Sequence, residues 1–369
     1  MGNDFAFWKI QHDSEDLSIF NTDLIGQLWL KTKSVARKEL VEDFTSRNCI
    51  TLSATTLSKQ FEELFKILLV DVNKSHKLLD KYIREKNVSI LKEIDRDRLV
   101  SELYKLKVFE WGGDYKNSLD KYLVSHYVKA ISSYDVLISK FEKEIIHAVQ
   151  GYVLNSWYNH WSSILIEHIF KSHNSVLPTV GQIKSVDFFI NNIPFDLKVT
   201  YFPSEYLKLK RKEKGLPVEL TYLKSKARGL DIKFDKSGSQ TDIYYEITEK
   251  LRDIGNRECL EVLSEIKKSN MAIVEEAQAN PKTLAKWLYE NQGEMRFGAE
   301  NRLYLVLIDT EDFASSWKLK RNLHLLAPTI NEFLDNFSTK TTSEMEIIFT
   351  YPGRPKIYNS LADILFLVK

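Results

Sequence analysis

The stretch VDFFINNIPFDLKVT, Val186 to Thr200, decides how the chain is read. Two short apolar segments flank Asn191-Asn192, and asparagine tolerates the positive φ that a two-residue hairpin turn requires. With that pair as the turn, Phe188 faces Phe195 and Asp187 faces Asp196 across the hairpin. Alternation along the strands then gathers Val186, Phe188, Ile190, Ile193, Phe195, Leu197 and Val199 on one apolar face. Asp187, Asp196, Lys198 and Thr200 share the other.

Two carboxylates opposed across a hairpin, roughly 5 Å apart, cannot both ionise cheaply. A divalent cation between them would compensate, and oxygen donors select magnesium, or manganese in its place, over zinc. Lys198, on the same face, adds an amine able to orient or deprotonate a water, or to stabilise charge developing on a phosphate. The alternative is a solvated outer face on which Lys198 screens both aspartates. The aromatic and aliphatic flanks favour an interior hairpin, where unpaired charge is costly.

Aspartate, a spacer, then Asp-x-Lys on the second strand of a hairpin resembles the active-site motif of the PD-(D/E)xK nuclease superfamily, here Asp187 and Asp196-Leu197-Lys198. Val186 stands where that family commonly has proline, and Asp196 where it more often has glutamate. The resemblance implies a restriction-endonuclease-like core, a mixed β-sheet flanked by helices. It also implies Mg2+-dependent hydrolysis of DNA phosphodiesters, with Asp187 and Asp196 holding the metal and Lys198 catalytic. A helix before the hairpin often adds an acid in this family, and Glu167 matches that position; it reads equally as an i,i+4 partner of Lys171. A later helix, from Thr241 to Gly255 or after Pro281, and the apolar run Arg302 to Asp309 would complete the core.

Outward from the hairpin the pattern changes. From Glu15 to about Tyr134, apolar residues recur at three and four, as in Phe61, Leu64, Phe65, Leu68 and Leu69, which predicts helices joined by short polar connections such as DVNKSHK and EKNVS. A long helix is predicted from about Ile138 to Ser172, with Val153, Trp157, Trp161, Ile164, Leu165 and His168 as its core stripe. The neighbouring histidines His160, His168 and His173 have irregular spacing and read as packed or solvated. Ser239 with Asp242 forms a capping-box start, and Asn280-Pro281 signals another helix. The expected organisation is α+β (or α/β), with a helical domain over residues 1–137, a nuclease-like domain over 138–369, and a basic helical insertion at about 203–300.

Between Lys208 and Arg228 the bases Lys208, Lys210, Arg211, Lys212, Lys214, Lys224, Lys226 and Arg228 outnumber Glu213 and Glu219. Alone this suits a solvated helix face; beside a phosphodiesterase hairpin it reads as a phosphate-contacting element. Lys318, Lys320 and Arg321, near the start of a further predicted helix, form a second candidate for nucleic-acid binding. Because the net charge is only +1, any nucleic-acid footprint must be a local patch.

Hydrophobic residues at 43% and charged residues at 28% match a folded globular protein, and 369 residues suffice for about two domains. Cys49 and Cys259 lack metal-site or disulfide spacing, so a reducing, cytoplasmic setting is expected. The start MGNDFAFWKI reads as no signal peptide, and no apolar stretch approaches the ~18 residues of a membrane helix. No GxxxxGK[ST] loop occurs, which argues against a fused P-loop motor.

These features point to a type II restriction or phage-defence endonuclease acting on double-stranded DNA, with a two-fold homodimer suited to cutting both strands. The rivals are a nucleic-acid-binding protein with an inactive nuclease fold, and a helical interaction or regulatory protein whose hairpin merely packs.

Overall fold

The computed structural model describes residues 4–14, 17–109, 118–291, 299–353 and 355–369. The fold is α+β: a helical amino-terminal region is followed by a mixed six-stranded sheet with interspersed helices. The strands are β1 (Val176–Ile183), β2 (Val186–Ile190), β3 (Ile193–Tyr201), β4 (Arg302–Ile308), β5 (Glu346–Thr350) and β6 (Ile357–Val368), in the order β1-β2-β3-β4-β6-β5. Among the described residues, no helix is long and apolar enough to cross a membrane. The turn falls where asparagine tolerance placed it, with Asn191 at φ 51° and Asn192 at φ 68°.

The chain divides into two compact units. One comprises Asp23–Ile193 and Trp317–Thr339. Its helix Val72–Lys92 runs straight through both segments expected to be connections, DVNKSHK and EKNVS. Asp71 caps it by accepting from Lys74 N–H at 3.0 Å, while Leu79, Tyr82 and Ile83 are buried beneath the polar residues. Polar composition alone did not mark a break, because weak helix propensity yields to burial of one face. The helical expectation for residues 15–16 and 110–117 lies outside the described residues.

The predicted long helix is observed as Tyr134–Lys140, a π-helical turn at Phe141–Ile145, and Ile146–Ser172. Its buried face is not the tryptophan stripe. Asn155, Tyr158, Ser162, Ile166 and Ile169 are buried, together with the expected Leu165 and His168, while Val153 is exposed. Phe170 stacks on Phe188 of β2 with centroids 5.6 Å apart.

β1 pairs antiparallel with β2, Leu177 opposite Phe189 and Pro178 opposite Phe188, before a register shift leads to Ile183 opposite Val186. Pro178 and Gly181 made this strand hard to see in sequence, and its place at the sheet edge explains why proline is tolerated. Gly181 has a packing reason: a Cβ there would stand 2.3 Å from the Ser34 carbonyl oxygen. Ser34 Oγ accepts from Val180 N–H at 3.0 Å, so the end of helix Leu24–Ser34 rests directly on β1. Lys31, fully buried on that helix, donates to Asp80 (2.5 Å) and to Asn192 Oδ1 in the hairpin turn (2.7 Å).

The other unit comprises Met1–Thr22, Pro194–Ser316 and Lys340–Lys369. β3 and β4 run parallel, as do β4 and β6, and β5 pairs antiparallel with β6. Every residue of β4 is buried, as its continuous apolar run required. Between β3 and β4 lie the helices Ser204–Glu213, Glu219–Gly229, Gln240–Ile254, Arg257–Ala279 and Pro281–Asn291. The Ser239/Asp242 capping box and the Pro281 start are both present. Tyr206, Leu207, Ile273, Leu288, Val306 and Phe349 belong to one hydrophobic core cluster of this unit, while Leu223, Ile247 and Val262 belong to another among the inserted helices.

Candidate functional site

Asp196 and Lys198 belong to the second unit. β3 starts beside Asn301, a fully buried amide that donates to Pro194 O (2.9 Å) and accepts from Leu361 N–H (3.0 Å). The Asn301 carbonyl accepts from Asp196 N–H at 2.9 Å. One satisfied side chain thus ties the starts of β3, β4 and β6 together and fixes the backbone that carries Asp196.

Asp196 is only 7% exposed, so it does not lie on a solvated hairpin face. Lys198 Nζ lies 3.0 and 2.9 Å from its two carboxylate oxygens. In the parallel register Asp196 is matched with Arg302, whose Nε stands 3.7 Å from Asp196 Oδ2. Arg302 Nη2 donates to Glu300 Oε2 at 3.0 Å, and its guanidinium lies 4.9 Å from the Tyr289 ring centroid. Tyr289 in turn donates to the Glu300 carbonyl at 2.7 Å. Charges therefore alternate from Lys198 through Asp196 and Arg302 to Glu300.

Burial pushes the Asp196 carboxyl above its usual range; Lys198 and Arg302 pull it back, and Glu300 adds to the rise. Arg302 is held in its charged form despite burial, supported by Tyr304, Tyr289 and Glu300. The result is a buried carboxylate whose ionisation depends on its neighbours, beside an amine whose side chain retains 38% of its exposure.

Arg302 and Glu300 escaped sequence reading because they sit at the start of an apolar run. A cation opening a fully buried strand was the available signal, since arginine is almost never fully buried unless paired.

The other motif residues lie in the first unit. Asp187 on β2 is half-buried, and its carbonyl accepts from Thr179 Oγ1 at 3.0 Å. Glu167 is engaged by Lys171 at 2.8 Å, the i,i+4 pairing expected as its alternative role. His168 is buried on the same helix, its pKa lowered by burial and by Lys171 and Arg96. Among the described residues, no group of three or more His, Cys, Asp or Glu side chains could hold a metal ion.

The expected phosphate contacts divide by burial. Lys212, Lys226, Arg228 and Lys318 are exposed, and Lys224 is half-buried. Lys208 pairs with Glu205 (2.7 Å), Lys210 with Glu213 (2.8 Å) and Lys214 with Glu276 (2.6 Å), which lowers the charge these helices offer. Arg211 is buried and donates to Pro217 O, Ser269 Oγ and Asn270 Oδ1 at 2.7 to 2.8 Å. Lys320 donates to Asn159 Oδ1 (2.8 Å), and Arg321 to Leu103 O (2.9 Å) and Leu106 O (2.7 Å), both side chains being buried. Arg211, Lys320 and Arg321 therefore hold the fold and present no open surface to a duplex. The last two lie in a 3-10 segment, Phe313–Arg321, ahead of the helix Leu323–Phe337, rather than within the predicted helix.

Comparisons with protein-family models, curated proteins and solved structures find no match to this chain.

Proposed function

We propose that the chain is a metal-dependent endonuclease acting on DNA, with Asp196 and Lys198 as its reactive pair. The contact between Lys198 Nζ and both Asp196 oxygens, 3.0 and 2.9 Å, carries this assignment. The element order supports it: a long helix, an antiparallel pair, β3 with its Asp-x-Lys, intervening helices, then a buried strand parallel to β3. That order suits the core the motif implies.

Magnesium takes one or two carboxylates and fills its shell with water and substrate phosphate oxygens, so Asp196 can serve as a ligand without a three-carboxylate cage. Bound there, the ion would supply Lewis acidity and an acidified water. Asp196 must be ionised to act. Lys198, part-exposed, is placed to orient the attacking water or to meet charge on the phosphate. The exposed bases Lys212, Lys226 and Arg228 are the surface available to a DNA backbone.

The charge balance favours one rival. Asp196 is already compensated by Lys198 and Arg302, as it would be in a nuclease-like core retained for DNA binding alone. The test is incubation of the purified protein with plasmid and phage DNAs in magnesium, manganese or EDTA. Fragments that need metal and disappear in Asp196→Ala, with DNA binding kept, support the enzyme. Wild-type protein that binds DNA and cuts in neither metal would leave the binding protein. Asp187→Ala and Glu167→Ala extend the test to the other motif carboxylates.

A further inference from the structure

The first unit contains a cleft of about 580 Å³, within the ~300–1,000 Å³ range of small-ligand sites. Arg321 forms part of its wall and, of the residues lining it, is alone buried, at 7% exposure. Its guanidinium is stacked between Tyr104 and Trp317, 4.6 and 5.0 Å from their centroids. Nη1 is engaged by two backbone carbonyls, yet Nε is buried without a hydrogen-bond partner, and among the described residues no carboxylate forms an ion pair with this arginine. Two carbonyls and two aromatic rings compensate part of this buried charge, and an anion in the cleft would complete the compensation.

The rest of the wall carries charges of both signs, Arg96 with Asp95 and Asp97, together with the imidazole of His324. The cleft is flanked by the first turns of two helices, Arg96–Leu103 and Leu323–Phe337. The first N–H groups of a helix lack intrahelical partners and face anions favourably. Arg96 and His324 stand in those two turns, both exposed at the cleft. Asp95 and Asp97 line the cleft as well; Asp95 accepts from the Arg98 N–H at 3.0 Å and Asn322 from the Leu325 N–H at 3.3 Å as the two helix caps, so one N–H at each helix start is already taken. Apolar wall is supplied by Ile94, Val100 and Leu323.

We infer that this cleft binds a phosphate-bearing small molecule of mononucleotide size, its phosphate at Arg321 and the two helix starts, its remainder along the apolar wall. The site is independent of Asp196 and Lys198 and stands whether or not the chain cuts DNA.

The test is calorimetric titration of the full chain with adenosine 5′-monophosphate, adenosine and inorganic phosphate. Arg321 braces two backbone carbonyls, so the decisive variant is Arg96→Ala/His324→Ala, which removes two exposed side chains and leaves the core intact. The expected result is that the nucleotide binds, adenosine and inorganic phosphate each bind at least about tenfold more weakly, and the double variant loses about tenfold or more of nucleotide affinity with an unchanged circular dichroism spectrum. Adenosine or inorganic phosphate binding as tightly as the nucleotide, an unaltered affinity in the double variant, or no binding of the nucleotide at millimolar concentration would each overturn the inference.

Discussion

Replacing Arg302 by methionine should destabilise the β3–β4 region by about 4 kcal/mol. Removing one partner of a buried ion pair costs about 3–5 kcal/mol, because the other charge stays in a poor dielectric. Here the group that loses its arginine is Glu300, 2% exposed and 3.0 Å from Arg302 Nη2. Asp196 contributes little to the loss, since Arg302 Nε is 3.7 Å away and Lys198 remains at 2.9 Å. The lost cation–π contact with Tyr289, about 1 kcal/mol, is counted within that range. Methionine restores most of the buried volume, which keeps the estimate near the middle of the range. Urea-dependent amide exchange of the β3 and β4 strands measures the change. Glu300→Gln/Arg302→Met, which removes both charges, should recover more than half of it. A single variant within about 1 kcal/mol of wild type, or a double variant no better than the single, would show that the charge network is not what holds these strands.

Gly181→Ala puts a Cβ 2.3 Å from the Ser34 carbonyl oxygen, a backbone atom that cannot rotate away, and should cost about 1–3 kcal/mol; an unchanged thermal midpoint would refute the contact. Burial lowers the Lys320 amine to about 8 from its ordinary 10.5, so the cost of burying its charge is fully present below pH 8 and is relieved as pH rises toward 10.5. Relative to Lys320→Met, wild-type stability in chemical denaturation should therefore climb by roughly 3 kcal/mol across that window, and a flat difference would be the contrary result. If metal-dependent cleavage requires ionised Asp196, kcat/KM at limiting magnesium, which reports the metal-free protein, should fall off on the acid side at a pH above the ordinary aspartate value of about 4, because burial raises this carboxyl. A pH–rate profile with its acid limb at the ordinary position would argue against Asp196 as the titrating group.

Local features were legible where one residue type answers one backbone demand. Asn191-Asn192 marked the turn, Ser239 and Asp242 the capping box, Pro281 a helix start, and Arg302 to Asp309 a buried strand. β1 was not visible, since Pro178 and Gly181 interrupt it, and only an edge position with a register shift makes them tolerable. The core face of helix Ile146–Ser172 was placed correctly at Leu165 and His168 but misplaced at the tryptophans, which dominate any hydrophobicity count, whereas burial followed the smaller Ser162 and Asn155 on the adjoining stripe. Within the candidate site, Asp196 and Lys198 were readable from their spacing, but Arg302 and Glu300 were not, because parallel pairing of distant strands brings them in.

By itself, the sequence determined local chemistry: which pairs of residues can turn the chain, cap a helix, alternate along a strand, or place an amine two positions from a carboxylate. These depend on backbone geometry over a few residues, which side-chain type largely dictates. Only the tertiary structure decided the state of each charge. Arg211, Lys320 and Arg321 looked like a basic surface in one dimension and became interior braces once burial and protein acceptors were added. Asp196 became a carboxylate balanced between Lys198 and Arg302 for the same reason: dielectric environment and distant partners are properties of the packed chain, not of its neighbours in sequence.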